Sequence, residues 1–169
     1  MDAPPALAPY DPPREPLRIL HDDHEIVVLD KPAGLLSVPG KGEHLADCLL
    51  ARVRGEMAER EGVVDLPIRV DWPNRPRQIV APDGRPAVTR WKRLRAGQGE
   101  TRVRLFPETG RSHQLRVHML AIGHPILGDP FYAEGAAREF PRLMLHSESL
   151  SIRHPDGGKT LRFASPAPF

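Results

Sequence analysis

The stretch TGRSHQLRVHMLAIGHPILGD, residues 109–129, decides the fold because it contains a helix together with its start and stop signals. Ser112 is a suitable N-cap, Gly123 suits the position just after the last turn, and Pro125 cannot continue a helix. We therefore predict a helix over residues 112–122. The chain around it must supply a surface for the apolar side of this helix.

Hydrogen-bond donors crowd the start of the predicted helix, where Arg111, His113, Gln114 and Arg116 fall within six residues. A helix N-terminus attracts phosphate through its free N–H groups and its dipole, and arginine and glutamine add side-chain donors. His113 and Arg116 share one face, and Leu115 lies on another. The pattern is typical of a nucleic-acid cleft, but an exposed helix with ordinary surface arginines would show the same spacing.

Three histidines, at positions 113, 118 and 124, raise the alternative of a metal site. They do not repeat at the i, i+4 spacing that places two ligands on one helix face, and no cysteine pair lies nearby. Cys48, the single cysteine, has no identifiable base beside it. We expect neither a metal nor another cofactor, and no cysteine nucleophile.

Composition limits the possible classes of protein. The 169 residues suit one domain, the net charge is +2, and the sequence pI is about 9.0. A basic, arginine-rich surface permits an RNA partner without requiring one. One cysteine, no bilayer-length apolar stretch and no basic-then-apolar leader predict a cytoplasmic location and no membrane association.

Residues 1–16 are too rich in proline for regular structure and are predicted to form an arm, leaving residues 17–169 as the domain. Short strands are expected in most of that domain, because proline and glycine interrupt its apolar runs. The predicted strand regions are 18–29 (two strands and a turn), 87–94 with 101–106 (a hairpin), 142–153 and 160–163. Strands grouped with occasional helices favour an α+β domain on a mostly antiparallel, mixed sheet.

A second helix is predicted from the recurrence of Leu45, Leu49, Val53 and Met57 every four residues, with Gly62 ending it. Residues 63–86 follow as an irregular basic stretch.

The chain resembles the RluA-type RNA pseudouridine synthases in several segments. GRSHQLRVHMLAIGHPILGD (110–129) resembles the third conserved motif of that family, and ILHDDHEIVVLDKPAGLLSVPG (19–40) resembles the first. VDLPIRVDWPNRP (64–76) and PRLMLHSESLSIRHP (141–155) resemble the branch that modifies both ribosomal and transfer RNA. The resemblance implies isomerisation of uridine to pseudouridine in structured RNA.

Residue roles follow from the same resemblance. Arg116 would pair with the catalytic aspartate, fixing its position and keeping it ionised. Arg111 and His113 would contact RNA near the flipped nucleotide, with Gln114 as a further RNA contact, and Lys31 would line the same cleft. The apolar side chains at positions 35 and 36 would support that wall.

One family motif, His-Arg-Leu-Asp followed by Thr-Ser-Gly, is missing from this chain. It belongs before Val64, where the sequence instead runs LLARVRGEMAEREGVVDLP (49–67). The family also has a central strand here, and a later strand with a base-stacking tyrosine; neither Tyr10 nor Tyr132 sits in that context. Residues 51–55 resemble the end of that tyrosine strand as well as a continuation of the helix. Asp71, after Arg69 and Val70, is a weak substitute for the aspartate, since no Thr-Ser-Gly follows it.

The missing motif leaves three interpretations: a synthase that is catalytically impaired, a non-catalytic RNA-binding remnant, or an incomplete record of an intact enzyme. Without the catalytic aspartate, the sequence predicts that Arg116 in this chain lacks its counter-charge. Loss of a central strand would also expose two sheet edges, which predicts marginal stability and self-association through those edges.

Overall fold

The computed structural model describes residues 14–32 and 48–169. The chain divides into two compact units, Met1–Lys41 and Gly42–Phe169. In the first unit, β1 (Arg18–Asp22) pairs antiparallel with β2 (Val27–Asp30), which confirms the predicted strand, turn and strand. Most of the predicted arm, and the apolar pair at positions 35 and 36, lie outside the described residues. A single domain over residues 17–169 stays a prediction.

The second unit is built on an antiparallel sheet of six strands. In their order across the sheet, these are β10 (Thr160–Ala164), β9 (Leu145–Arg153), β3 (Cys48–Arg54), β8 (Glu100–Pro107), β7 (Val88–Gly97) and β4 (Glu61–Asp65). A smaller sheet pairs β5 (Ile68–Val70) with β6 (Gln78–Val80), and one α-helix, α1 (Gln114–Ala121), is found in the described part. The predicted α+β class is confirmed.

The helix predicted from four-residue spacing around Val53 is wrong, because this part of the chain forms the strand β3. Ala51 and Val53 are completely buried, and Leu50, which points to the opposite side of the strand, is only 2% exposed. On the side of Leu50, Arg52 is partly exposed and Arg54 is exposed, so apolar and polar residues alternate only over residues 51–54. This run is too short to outweigh the four-residue spacing of the apolar side chains. The alternative prediction, that residues 51–55 belong to the end of a strand, is confirmed for residues 51–54, and Gly55 follows the strand.

The six-stranded sheet has no interruption at the place where the missing segment was expected. β3 is hydrogen-bonded to β8 on one side and to β9 on the other. The two additional edges predicted from the missing strand are therefore not found in the described residues, where the outer strands of this sheet are β10 and β4. Self-association through these outer strands stays a prediction.

The predicted hairpin is confirmed in β7 and β8. Gln98 and Gly99 form its two-residue turn, with φ of 59° and 74°. Positive φ at both positions matches the twist of the flanking strands. Val103 and Leu105 are fully buried, whereas Arg102 and Arg104 lie on the other face of β8, as the alternation predicted.

Residues 63–86 are more regular than predicted. They contain the end of β4, all of β5 and β6, and a single 3-10 turn at Trp72–Asn74. Strands of three residues carry too little periodicity to be recognised in a sequence.

Helix α1 confirms the prediction for residues 112–122, with one change at its start. The N-cap residue is His113, in the left-handed region at φ 54°, instead of Ser112. Leu115 and Met119 pack with Val103 and Leu105 in the main core. In the described residues, no helix has both the length and the apolar character needed to span a membrane.

Candidate functional site

Arg116 has a carboxylate partner within this chain. Its Nε donates to Oδ2 of Asp129 at 2.7 Å, and its Nη2 donates to Oδ1 at 2.6 Å. The side chain of Asp129 is completely buried, and that of Arg116 is 12% exposed. The prediction that Arg116 lacks a counter-charge is therefore wrong. A bidentate arginine–carboxylate pair also fixes the orientation of the guanidinium.

Asp129 holds the turn that follows it as well as the arginine. Its Oδ1 accepts the backbone N–H of Phe131 at 2.9 Å and that of Tyr132 at 3.2 Å. Both carboxylate oxygens are thus used inside the protein. This buried carboxylate positions other groups and cannot itself reach a bound nucleotide.

Strand β3 supports the segment that carries Asp129. The N–H of Arg54 donates to the carbonyl of Pro125 at 3.0 Å, and the N–H of Leu127 donates to the carbonyl of Arg52 at 2.9 Å. Strand β3, an inner strand of the sheet, therefore also forms backbone hydrogen bonds with the end of the 109–129 motif. Correct placement of Asp129 depends on β3.

Aromatic rings surround the Arg116 guanidinium. Its Cζ lies 5.0 Å from the ring centroids of both Phe131 and Tyr132. The imidazole of His113 stacks on Phe131 with centroids 5.7 Å apart. The arginine–aromatic cluster, as we call this site, consists of Arg77, His113, Arg116, Asp129, Phe131 and Tyr132.

His113 is held as a neutral imidazole. The hydroxyl of Tyr132 accepts the N–H of Gln78 at 2.7 Å and lies 2.8 Å from Nδ1 of His113. The hydroxyl proton is free to donate to Nδ1, which assigns the remaining ring proton to Nε2. Burial, and next the charge of Arg116, lower the pKa of His113 to about 4. The cluster therefore presents a neutral Nε2–H donor at pH 7.

Burial also raises the pKa of Tyr132, although the hydrogen bond from Gln78 works in the opposite direction. The phenol therefore stays protonated at pH 7 and can donate to His113.

Gln114 does not take the role predicted for it as an RNA contact. It is 3% exposed, and its amide nitrogen donates to the carbonyl of Val88 and the hydroxyl of Thr89. Its Oε1 accepts from the hydroxyl of Thr109 and the N–H of Arg111. All of its hydrogen-bonding capacity is used to hold the loop that carries Arg111.

Arg111 is partly exposed at the start of the helix, and its Nε donates to the carbonyl of Pro86 at 3.0 Å. That bond leaves its terminal nitrogens for other partners. Lys31 belongs to the first unit, where its Nζ donates to the carbonyl of Pro32 at 3.1 Å. RNA contacts by Arg111, His113 and Lys31 stay predictions.

The other two histidines of the motif have separate partners. His118 is completely buried between the hydroxyl of Thr89 and the carbonyl of Leu66, each at 2.9 Å. His124 pairs through Nδ1 with the carbonyl of Arg54 at 2.9 Å. Each histidine thus supports packing at a different place.

Sequence reasoning missed four residues of the cluster: Arg77, Asp129, Phe131 and Tyr132. A signal for three of them was present, because an aromatic pair follows Asp129 after one proline at the end of the motif. Arg77 carried no such signal, since its position over the Tyr132 ring, at 5.4 Å, depends on the tertiary fold.

Comparisons with known proteins identify one family. A family model described as RNA pseudouridylate synthase matches residues 48–121. The chain is 42% identical over 214 residues to the dual-specificity RNA pseudouridine synthase RluA of Escherichia coli (strain K12), across 95% of this chain and 98% of that protein. Its identity to the protein of the same name from Pasteurella multocida is 39% over 218 residues, across 97% and 100% of the two chains.

Solved structures share the fold. Human RNA pseudouridylate synthase domain containing 1 matches with a TM-score of 0.65 and 27% identity, over 91% of this chain and 70% of that chain. Human RNA pseudouridylate synthase domain containing 4 matches with a TM-score of 0.58 and 24% identity, over 75% and 59%. The second likeness concerns the fold alone.

Proposed function

Because the chain belongs to the RluA-type family of RNA pseudouridine synthases, we propose that it binds ribosomal or transfer RNA at the arginine–aromatic cluster without completing the isomerisation of uridine. The cluster offers the groups that a flipped nucleotide needs: a fixed cation, a neutral imidazole donor and aromatic rings. Flipping a base costs a few kcal/mol, which phosphate contacts and stacking must offset.

The lengths of the aligned chains support a missing catalytic segment. The Escherichia coli relative aligns over 214 residues, whereas 95% of these 169 residues is about 161, so about 53 residues of the aligned span have no counterpart here. We place the gap before Val64, where the family resemblance puts the His-Arg-Leu-Asp motif. A gap of this length is enough to hold the catalytic loop, a strand and a helix.

The ion pair of Arg116 with Asp129 carries the proposal. The reaction requires a carboxylate at the sugar or base of the flipped nucleotide, but the carboxylate on this arginine is completely buried and accepts four hydrogen bonds. Among the described residues, Nη1 of Arg116 has no hydrogen-bond partner. This nitrogen is available to a phosphate or a uracil oxygen, so binding can persist without the chemical step.

Asp71 is the alternative source of a catalytic carboxylate. Its Oδ2 accepts from the side-chain amide of Asn74 at 2.9 Å, in the turn before β6. A carboxylate that stabilises its own turn in this way fits a structural role. If the chain does turn over, Asp71→Asn should abolish product formation.

RNA binding is tested by the salt dependence of affinity for a transfer RNA. Binding should weaken linearly on a log–log plot as salt rises, and Arg111→Ala should lower both the affinity and the slope, the slope by about 1. Arg162→Ala is the matched control, because Arg162 is exposed on the outer strand β10. Equal effects of the two substitutions would contradict RNA binding at the start of helix α1, the element that carries His113 and Arg116 of the cluster.

A further inference from the structure

A turn beside the cluster presents an exposed aromatic ring. Trp72 is 64% exposed, and it starts the 3-10 turn between β5 and β6. A tryptophan this exposed gains little from burial, so packing within the protein does not account for it.

The turn is held in a fixed shape by its own backbone. The N–H of Asp71 donates to the carbonyl of Arg77, that of Asn74 to the carbonyl of Asp71, and that of Arg77 to the carbonyl of Asn74, each at 3.0 Å. Asn74 also ties the Asp71 side chain. The indole therefore projects from a loop that is already ordered, so a ligand that binds it loses little affinity to the ordering of this loop.

An arginine already lies over the indole. The guanidinium of Arg75 is 4.9 Å from the ring of Trp72. Because the residue keeps 64% of its surface exposed despite this contact, ring surface is left for a second planar group. Aromatic rings stack on every nucleobase, and arginine strengthens such platforms through its charge and its planar group.

The turn is also joined to the cluster at its other end. Arg77 lies 5.4 Å over the ring of Tyr132, and the next residue, Gln78, donates its N–H to the Tyr132 hydroxyl at 2.7 Å. No ion pair within the described residues involves Arg75 or Arg77. The turn therefore offers two positive charges, one over the Trp72 ring and one over the Tyr132 ring.

We propose that Trp72 is a stacking platform for an unpaired nucleobase beside the target uridine, with Arg75 and Arg77 at the flanking phosphates. This inference rests on the proposed RNA-binding function and names the form of RNA it prefers. An unpaired loop can offer its base faces to an aromatic ring, whereas a continuous duplex keeps them stacked. The platform thus favours loops over helices.

The test compares two fluorescein-labelled RNAs, a hairpin with an unpaired uridine-containing loop and a continuous duplex of the same composition. Trp72→Ala should weaken hairpin binding by about 5- to 100-fold, and Trp72→Phe should restore most of it because phenylalanine also stacks. Duplex binding should be unchanged in both variants. Arg75→Ala and Arg77→Ala should each reduce the salt slope by about 1, which Trp72→Ala should not do.

Three results would overturn the inference. If Trp72→Ala leaves hairpin affinity unchanged while Arg111→Ala lowers it, the platform is refuted and RNA binding at the start of helix α1 stands. Equal weakening on hairpin and duplex would show that Trp72 does not recognise unpaired bases. If the unsubstituted protein binds neither the hairpin nor the duplex, the proposed function is refuted, and this inference is refuted with it. Thermal melts of the variants, expected to match that of the parent because Trp72 is exposed, exclude unfolding as the cause.

Discussion

Both oxygens of Asp129 accept hydrogen bonds from the guanidinium of Arg116, thirteen residues earlier in the chain. This contact uses the Nε and Nη2 edge of the arginine, which is the edge that can hold a carboxylate bidentately. The family resemblance implies that Arg116 pairs with a catalytic aspartate. An aspartate added to this chain would therefore have to contact Nη1 or displace Asp129.

Substitution Asp129→Asn should destabilise the protein by about 3–5 kcal/mol, because it leaves the Arg116 cation buried without a counter-charge. That is a large part of a typical total stability of about 5–15 kcal/mol. Chemical denaturation measures the difference.

The control for this substitution is Glu108→Gln. Glu108 pairs with Arg90 at 2.6 Å, but the two side chains are 46% and 61% exposed. Solvent screens such a pair, so its loss should cost about 0–1 kcal/mol. If both substitutions lower the free energy of unfolding by a similar, small amount, the conclusion that the buried Arg116–Asp129 pair stabilises the fold is contradicted.

Stability should fall as the pH is lowered from about 6.5 towards 4. The pKa of His113 is 6.5 in an ordinary setting and about 4 in the folded protein, so the unfolded chain takes up the proton first. Proton uptake by the unfolded state favours unfolding throughout this window. From about one pH unit above 6.5, both states are neutral at this residue, and its contribution is constant.

His113→Asn isolates that effect. Asparagine tolerates the left-handed φ of 54° and offers an acceptor for the Tyr132 hydroxyl, but it does not titrate. The variant should lose less stability than the parent between pH 6.5 and 4. Burial lowers the pKa of His118 in both proteins, so that contribution cancels. Identical pH profiles for the two proteins would refute the assignment to His113.

Gly128→Ala should be far more damaging than Gly123→Ala. Both glycines have positive φ, 70° and 83°, so an alanine at either position costs about 1–2 kcal/mol in backbone strain. A Cβ at Gly128 would also lie 1.9 Å from the carbonyl oxygen of Arg142, whereas one at Gly123 meets nothing within 4 Å. Equal losses in thermal stability would show that the segment before Asp129 can shift freely.

Helix α1 and the β7–β8 hairpin could be predicted because their signals are local. Gly123 and Pro125 end the helix within the sequence itself, and Gln98 with Gly99 joins two strands of clear alternation. Only the N-cap was misplaced, by one residue: His113 holds that position in a left-handed conformation, which residues other than glycine adopt only rarely.

Strand β3 and the partner of Arg116 could not be predicted, because both depend on contacts between distant segments. β3 pairs with β8 and β9, and Val53 packs in a core that includes Met119 and Ile126, all of them far from it in the sequence. The contact between Asp129 and Arg116 likewise involves residues 125–127, whose backbone is hydrogen-bonded to β3. The prediction of two additional sheet edges failed for the same reason, because β3 pairs with a distant strand on each side.

Pseudouridine formation under single-turnover conditions, with protein in excess over a transfer RNA that it binds, tests the central claim most directly. We predict bound RNA with no product above a protein-free control. We also predict product from a chimera that carries the corresponding segment of the Escherichia coli relative before Val64. Product from the unaltered chain, detected by the mass shift of derivatised pseudouridine, would contradict the claim that it lacks the catalytic carboxylate.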